Sequence, residues 1–365
     1  MPAFSIIINN FNYGCFLPEA IESALSQTAG PVEVLVVDDG STDNSRDILQ
    51  DYAGRVSIIY KDNGGQASAI NQGFAHCQGD YVIFLDADDR LLPGAVQRVM
   101  EAFQRQPDAA KVQYGMVVID GQGGETGEIK PAPHLRLPSG DLRQQELAFP
   151  FDLPWLPTSG NAFSAQVLQR ILPAPETGYG AIFADYYLCH IAPLYGPVVS
   201  LPERLACYRV HGANRFELPR ARLDLNHIRQ TIHACELTAH YIDQHARRLE
   251  LPVRWTEILS VSEVAQRLIS LKLDPAHHPY PADTIPGLIL KGWKASLRRS
   301  DMRAVKKALF LTWFLAEGLS SRRTAEWLAE VFLFPELRSR VNPFLKSLNQ
   351  TREETLDQSM QRSQG

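Results

Sequence analysis

The sequence lacks three features that often define a function class: paired cysteines, a long apolar run and a basic segment. Its five cysteines are scattered and form no C-x-x-C pair, which predicts free, mostly buried thiols in a reducing compartment. The longest apolar stretch towards the carboxyl end, residues 308–316, is about half of the roughly 20 residues that a bilayer span needs. No run of Lys and Arg suggests a nucleic-acid surface, and the formal net charge is −5.

The amino-terminal residues also lack the charged start and the cleavage site of a signal peptide. We therefore expect a cytoplasmic protein that binds no nucleic acid, and contact with the inner face of a membrane stays open. The 365 residues exceed the usual size of one domain, and 45% of them are hydrophobic. This length predicts one large domain and a second unit, each with a packed core.

The first hundred residues alternate short β-branched runs with helical patterns, which predicts an α/β fold. Apolar strands that are buried on both faces, as in a parallel sheet, are expected at residues 5–8, 32–37, 56–60 and 81–85. Helices are expected at 17–27, 44–53, 66–76 and 93–106. This repetition predicts a Rossmann-like, mostly parallel sheet with flanking helices.

The rest of the chain divides into a mixed part and a helical part. Strands are expected at 112–120 and 206–210, helices at 165–171 and 183–194, and a proline-rich loop at 130–140. Helical periodicity then dominates, at 220–249, 256–271, 285–299, 302–319 and 322–331. The predicted domains are 1–218, with halves 1–110 and 111–218, an all-helical C-terminal unit at 219–348, and a disordered tail at 349–365.

Polar clusters follow three of the predicted strands, at residues 9–12, 38–43 and 86–89. In doubly wound sheets, ligands bind beyond the carboxyl ends of the strands. The three carboxylates of the last cluster repel one another unless a divalent cation neutralises them, and such oxygen ligands suit Mg²⁺ or Mn²⁺. For the middle cluster a structural explanation competes, in which its side chains cap the next helix and accept N–H groups of the turn.

Four motifs in the first ninety residues resemble, in order and spacing, those of the family 2 glycosyltransferases. They are Ile-Ile-Ile-Asn-Asn-Phe-Asn at 6–12, Val-Val-Asp-Asp-Gly-Ser-Thr-Asp at 36–43, Asn-Gly-Gly at 63–65 with Ala-Ile-Asn at 69–71, and Gly-Asp-Tyr at 79–81 leading to Leu-Asp-Ala-Asp-Asp at 85–89. The resemblance covers about the first 110 residues well. It implies the GT-A fold and an inverting, metal-dependent enzyme with a nucleotide-sugar donor.

The resemblance also implies roles for single residues on the donor side. Asp88 would be the main ligand of a Mn²⁺ or Mg²⁺ ion that holds the diphosphate and stabilises its charge as it leaves. His211, in a Tyr-Arg-x-His segment, would complete the metal site or bind the diphosphate, and Arg209 would offset phosphate charge; a structural histidine is the alternative. The nucleotide-sugar itself would be bound by Asn10, Phe11, Asp38, Asp39, Asn63, Gly64, Gly65, Asp86 and Ala87.

On the acceptor side, residues 158–163 resemble a strand of the family, and Ser159 and Asn161 are expected to hydrogen-bond a sugar. Residues 183–188 resemble the family's Glu-Asp helix, whose aspartate is the general base. Ala184 replaces the glutamate here, so only Asp185 is carried over as the catalytic base. A helix N-terminal carboxylate that faces the helix dipole is the alternative for Asp185.

Together these residues predict transfer of a sugar from a UDP- or dTDP-sugar to a hydroxyl group. The acceptor hydroxyl would belong to a glycan, to a lipid-linked molecule or to a protein, in bacterial-type polysaccharide, O-antigen or glycoconjugate synthesis. Two alternatives stay open: a sugar-nucleotide pyrophosphorylase, against which residues 9–14 contain no Lys or Arg, and a catalytically silent nucleotide-sugar-binding protein. Residues 306–327 contain both basic and bulky apolar side chains, so contact with a membrane surface competes with helix packing.

Overall fold

The computed structural model describes residues 3–28, 30–133, 135–177, 184–212, 223–251, 258–334 and residue 337. Its strands are β1 (Phe4–Asn10), β2 (Val32–Asp39), β3 (Ser57–Lys61), β4 (Tyr81–Asp86), β5 (Arg90–Leu91), β6 (Lys111–Asp120), β7 (Glu125–Lys130), β8 (Asn161–Ser164) and β9 (Val198–Val210). Within the described residues they form one sheet, in the order β3-β2-β1-β4-β8-β6-β9-β5, with β7 paired to β6.

Strands β1 to β4 are parallel to one another, as predicted from their apolar runs. Ile6 and Ile8 point into one hydrophobic core and Ile7 into the other, because successive side chains of a strand alternate between faces. Parallel pairing also brings the carboxyl ends of these strands to one edge, where Asn10 pairs in register with Asp38. The register therefore gathers the three polar clusters.

Strand β3 differs from the expectation of burial on both faces. Strand β3 lies at one end of the strand order, so it pairs with a neighbouring strand along one edge only. Tyr60, in this strand, is 49% exposed. The continuous apolar pattern predicted the strand correctly and its degree of burial wrongly.

Antiparallel pairs begin in the second half of the sheet. Strand β8 pairs antiparallel with both β4 and β6, and β5 with β9, whereas β6 and β9 are parallel. Strand β9 is longer than predicted, and β7 precedes the predicted loop without having been predicted at all. Its sequence, Glu-Thr-Gly-Glu-Ile-Lys, carries little apolar signal.

The helices are α1 (Leu17–Leu25), α2 (Ser45–Asp51), α3 (Gln66–His76), α4 (Ala95–Arg105), α5 (Arg143–Ala148), α6 (Ala165–Ile171), α7 (Ala184–Ile191), α8 (Leu225–Arg248), α9 (Val261–Leu273), α10 (Ile285–Arg298), α11 (Ala304–Leu319) and α12 (Arg322–Leu333). Most lie within a few residues of their predicted bounds. Helix α7 ends before the predicted residue 194, where a 3₁₀ turn contains Pro193, which has no N–H to continue the helix.

The chain forms two compact units. The first contains Met1–Glu217 and His233–Ile258, and the second contains Leu218–Ile232 and Leu259–Gly365. The predicted boundary between residues 218 and 219 lies in the segment 213–222, which is outside the described residues. The predicted tail at 349–365 is also outside the described residues. The division assigns the second part of α8 to the first unit, because Ala234, Ile242 and Ala246 join a core beneath the sheet.

None of the described helices is both long enough and apolar enough to cross a bilayer.

Candidate active site

The ends of β1 and β2 form a rigid polar corner. Asp38 is fully buried, and its carboxylate accepts hydrogen bonds from Asn10 Nδ2 at 3.0 Å, Arg46 Nε at 3.2 Å and the Ser41 N–H at 3.3 Å. These bonds match the structural explanation offered for this segment. They commit the Asp38 side chain to the protein, so its expected direct contact with a base stays a prediction that this burial does not favour.

Asp39 organises the glycine loop that was predicted to line the base pocket. Its carboxylate binds Lys61 Nζ at 2.5 Å and accepts N–H bonds from Gly64 at 3.0 Å and Gly65 at 2.7 Å. Gly65 has a φ of +85°, which favours glycine over residues with a Cβ. Asn63 is exposed beside this loop, open to a ligand.

Asp86, at the end of β4, joins the donor motifs to the acceptor-side loop. Its Oδ1 accepts hydrogen bonds from Asn9 Nδ2 at 2.7 Å and Gln66 Nε2 at 2.8 Å, and its own N–H donates to Ser159 Oγ at 3.1 Å. Burial, and then the charge of Asp88, raise the pKa of Asp86 to about 7. Sequence reasoning missed Asn9 and Gln66, although Asn9 lies inside the first motif.

Asp88 and His211, which the resemblance assigned to one metal site, lie side by side although 123 residues separate them. His211 Nε2 is 3.1 Å from Asp88 Oδ2, and the side chains are only 7% and 12% exposed. The imidazole ring also packs against the rings of Tyr13 and Phe16, at centroid distances of 5.3 and 4.8 Å. These aromatic contacts hold the imidazole in the orientation in which it faces the Asp88 carboxylate.

Arg209 is buried beside the acidic cluster. It is 1% exposed, its Nε donates to the Asp88 carbonyl at 2.7 Å, and its guanidinium pairs with Glu19. The Arg209 N–H also donates to Asp89 Oδ1 at 2.9 Å. Because the guanidinium is buried and paired, direct contact with a phosphate is disfavoured, and the expected offset of phosphate charge stays a prediction. The bonds to Asp88 and Asp89 hold the backbone of the acidic cluster in place.

Ser159 and Asn161 are both fully buried. Ser159 accepts the Asp86 N–H described above, and Asn161 Nδ2 donates to the carbonyls of Leu156 at 3.1 Å and Pro157 at 2.8 Å. They fasten the loop before β8 to itself and to β4. Direct hydrogen bonds to an acceptor sugar remain a prediction, which this burial disfavours because neither side chain reaches solvent.

Asp185 lies in the first turn of α7 and lines a cavity of about 480 Å³. Its Oδ1 accepts the Tyr186 N–H at 2.9 Å. Burial raises the pKa of Asp185 to about 6, so the carboxylate is mainly ionised at neutral pH. Trp155, Phe151 and Leu135 line the same cavity, which gives it large apolar surfaces.

A buried polar cluster beneath this cavity escaped sequence reasoning. The Lys111 ammonium lies 4.2 Å from the centroid of the Trp155 ring, and the Trp155 Nε1–H donates to His190 Nδ1 at 3.0 Å. Burial lowers the pKa of His190 to about 3 and raises that of Glu146 well above its usual value. No motif marks these residues, which are brought together from β6, α5 and α7.

The donor atoms fit a hard divalent cation. Burial and, second to it, the charge of Asp88 raise the pKa of Asp86, and a bound cation would offset the repulsion between the two carboxylates. Over the described part of the chain, no three His, Cys, Asp or Glu side chains form a group that would hold a metal unaided. Mg²⁺ and similar ions commonly use one or two carboxylates and complete their coordination with substrate phosphates, so Asp88 and His211 would be the protein's ligands in a site of this kind.

Comparisons with known proteins show what this region is similar to. The model of "Glycosyl transferase family 2" matches residues 5–171. The chain is 39% identical over 215 residues to the uncharacterized glycosyltransferase alr2836 of Nostoc sp., an alignment that covers 58% of this chain and 65% of that protein. It is 39% identical over 112 residues to the uncharacterized glycosyltransferase EpsJ of Bacillus subtilis, covering 30% and 33%. The chain thus spans less than two thirds of each of these relatives.

A solved structure agrees on the fold. TarS of S. aureus, residues 1–349 in complex with UDP, superimposes with a TM-score of 0.53 at 15% identity, and the alignment covers 91% of both chains. At this identity the similarity concerns the fold. The mixed sheet with its flanking helices and the helical C-terminal region have the GT-A fold, which confirms the predicted fold class. Residues 5–171, somewhat under half of the chain, match the model of glycosyltransferase family 2.

Proposed function

We propose that this chain transfers a sugar, with inversion, from a UDP-sugar or dTDP-sugar to a hydroxyl group of an acceptor. The observation that carries the proposal is the Asp88–His211 pair beside Asp86 at the carboxyl ends of the strands. The match of residues 5–171 to the family 2 model supports the proposal. A protein of the same fold, TarS, was crystallised with UDP.

On the donor side, Asn10, Phe11, Asn63 and the loop at 64–65 would bind the base and ribose, with Asp39 shaping the loop through its N–H contacts. Phe11 is partly exposed at the end of β1 and offers a ring face for stacking. Asp86, partly exposed at the end of β4, would continue this surface towards the diphosphate. The Ala87 side chain is fully buried, so its contact with the donor stays a prediction.

Asp88 and His211 would hold a Mn²⁺ or Mg²⁺ ion together with the diphosphate oxygens. When bound, such an ion stabilises the negative charge of the departing nucleoside diphosphate. Arg209 serves the same end indirectly, because its bond to the Asp88 carbonyl fixes the turn that carries the ligand.

Asp185 would act as the general base. Its carboxylate accepts the proton of the acceptor hydroxyl while that oxygen bonds to the anomeric carbon, and the bond from this carbon to the diphosphate oxygen breaks with its electron pair. Attack from the face opposite the diphosphate inverts the anomeric configuration. The Asp185 pKa of about 6 is close to the value that suits a base at neutral pH.

The cavity beside Asp185 would take the acceptor. Its volume of about 480 Å³ suits one or two sugar rings, and Trp155 and Phe151 offer apolar faces for the C–H surface of a pyranose. We propose a glycan acceptor, lipid-linked or protein-borne, as in bacterial-type polysaccharide, O-antigen or glycoconjugate synthesis.

The proposal is tested by incubating the protein with Mn²⁺ and a panel of nucleotide-sugars. Slow, metal-dependent release of UDP or dTDP from one donor, accelerated by a glycan acceptor, is the expected result. Formation of UTP only when pyrophosphate is added would identify a pyrophosphorylase instead. Binding of every donor without turnover, with any acceptor, would leave a silent binding protein.

A further inference from the structure

Helices α10 and α11 present apolar side chains to solvent. Among the described residues, nine large hydrophobic side chains are exposed, and seven of them lie between residues 290 and 327. Leu290 and Leu297 are two turns apart on α10, and Val305, Leu309 and Leu319 follow one face of α11. These five side chains are between 57% and 74% exposed, so packing between helices does not cover them.

The other sides of both helices are occupied. The two helices meet where the Phe314 ring packs on Gly292 and Ile289 on Gly318. A shared core then joins both helices to Val264 of α9. The exposed stripes therefore lie on the side of the α10–α11 pair that faces away from α9.

The two stripes are also adjacent. Lys307 Nζ, on α11, donates to the carbonyl of Leu297, on α10, at 2.9 Å. The end of one stripe thus lies beside the beginning of the other, and together they form a continuous surface.

Basic residues accompany the apolar ones. Residues 285–334 contain nine Lys or Arg and four Asp or Glu, a formal net charge of +5, whereas the whole chain has −5. One of the four acidic residues, Glu317, is fully buried. Lys294, between the two leucines of α10, and Lys306, beside Val305, are both exposed.

We propose that this surface binds an anionic lipid bilayer, with α10 and α11 lying parallel to the membrane plane. We name it the lipid face and define it by Leu290, Lys294, Leu297, Val305, Lys306, Leu309 and Leu319. Apolar side chains enter the interface between headgroups and acyl chains, and the lysines attract anionic headgroups.

The charge distinguishes a bilayer from a second copy of the chain. A two-fold dimer would place the same patch of each copy against the other. Such contact would bring Lys294 and Lys306 of both copies close together, where like charges repel. An anionic bilayer is attracted by the same lysines.

The experiment is flotation of the full-length protein with vesicles of phosphatidylcholine, with or without phosphatidylglycerol. We expect strong binding to the anionic vesicles that weakens as NaCl is raised, because salt screens the headgroup charge. Lys294→Gln and Lys306→Gln should each weaken partitioning about fivefold. The double variant Leu290→Ser, Leu309→Ser should weaken it at least about tenfold.

Leu135→Ser is the matched control, since Leu135 is 44% exposed in the first unit and should not affect flotation. Thermal unfolding of each variant checks that the fold is retained. Equal binding of wild type and the leucine double variant, or no binding to anionic vesicles, would overturn the proposal. So would a dimer in analytical ultracentrifugation that the double variant disrupts. None of these readouts depends on sugar transfer, so the proposed function can fail while this inference stands.

Discussion

The Asp88 carboxylate faces His211, and Asp88 lies two residues after Asp86 in the chain. Asp88→Asn removes the negative charge and leaves the side-chain shape nearly unchanged. We expect at least about a hundredfold loss of turnover, because stabilisation of the leaving diphosphate is lost. Initial rates of UDP release at saturating Mn²⁺ measure it. Asp80→Asn, an exposed aspartate at the opposite end of β4, is the control, and near-normal turnover of Asp88→Asn would remove the metal assignment.

His211 should affect donor binding more than chemistry. His211→Ala removes the imidazole that faces Asp88, so UDP should bind several-fold more weakly when Mn²⁺ is present and unchanged without it. Titration calorimetry under both conditions separates these cases. His233→Ala, whose side chain is 60% exposed, should match wild type. If His211→Ala leaves binding with Mn²⁺ intact, its role is the packing against Tyr13 and Phe16.

The pH dependence of transfer should report Asp185. A base must be deprotonated, so activity should rise as the pH increases through the raised pKa of about 6 and then level off. Asp185→Asn should abolish transfer at all pH values and leave UDP binding unchanged, because the amide accepts no proton. Rates from pH 5 to 8, with UDP affinity at each end, test this. Equal loss of binding and transfer would indicate the structural role in capping α7.

At the scale of elements, α11 carries a buried carboxyl group without an apparent function. Glu317 is fully buried, and neither of its carboxyl oxygens has a hydrogen-bond partner among the described residues. Burial raises its pKa to about 8, only partly opposed by the charge of Lys272. The folded state therefore holds a proton that the unfolded chain releases near pH 4 to 5.

It follows that the stabilising contribution of this proton is complete at acidic pH and is lost as the pH rises towards 8. Glu317→Gln keeps the shape without the charge, so it should raise stability at pH 8 by on the order of 2 kcal/mol and change little at pH 4. Thermal unfolding at both pH values measures this. Glu326→Gln, on the exposed side of α12, serves as control, and an equal effect of both variants would contradict the assignment.

At the scale of the whole molecule, the two units have separate hydrophobic cores. A ligand stabilises only the unit that binds it, so UDP with Mn²⁺ at about a hundred times its dissociation constant should add about 2.7 kcal/mol to the first unit. Calorimetry should show two unfolding transitions. UDP should raise the midpoint temperature of one of them, and Glu317→Gln that of the other. Both ligand and variant shifting one common transition would mean that the units unfold together. Asp88→Asn should abolish the UDP shift.

Local sequence determined much of this structure. The apolar runs at the starts of β1, β2 and β4 predicted a parallel sheet because buried strands need continuous apolar residues. The polar residues that follow those runs predicted the edge where the candidate site lies. The Asp88–His211 contact was predicted through the family resemblance, since nothing in the spacing of two residues so far apart reveals it.

Tertiary structure decided which of the polar residues are buried and which are exposed. Asp38, Ser159 and Arg209 belong to motif-like segments, yet all three are buried and bonded within the protein. The cluster of Lys111, Glu146 and His190 has no pattern in the sequence and exists only because three elements meet. Burial and hydrogen-bond partners depend on contacts between distant segments, so the residue types at the sheet edge could be predicted from the sequence, whereas the direction of each side chain required the folded structure.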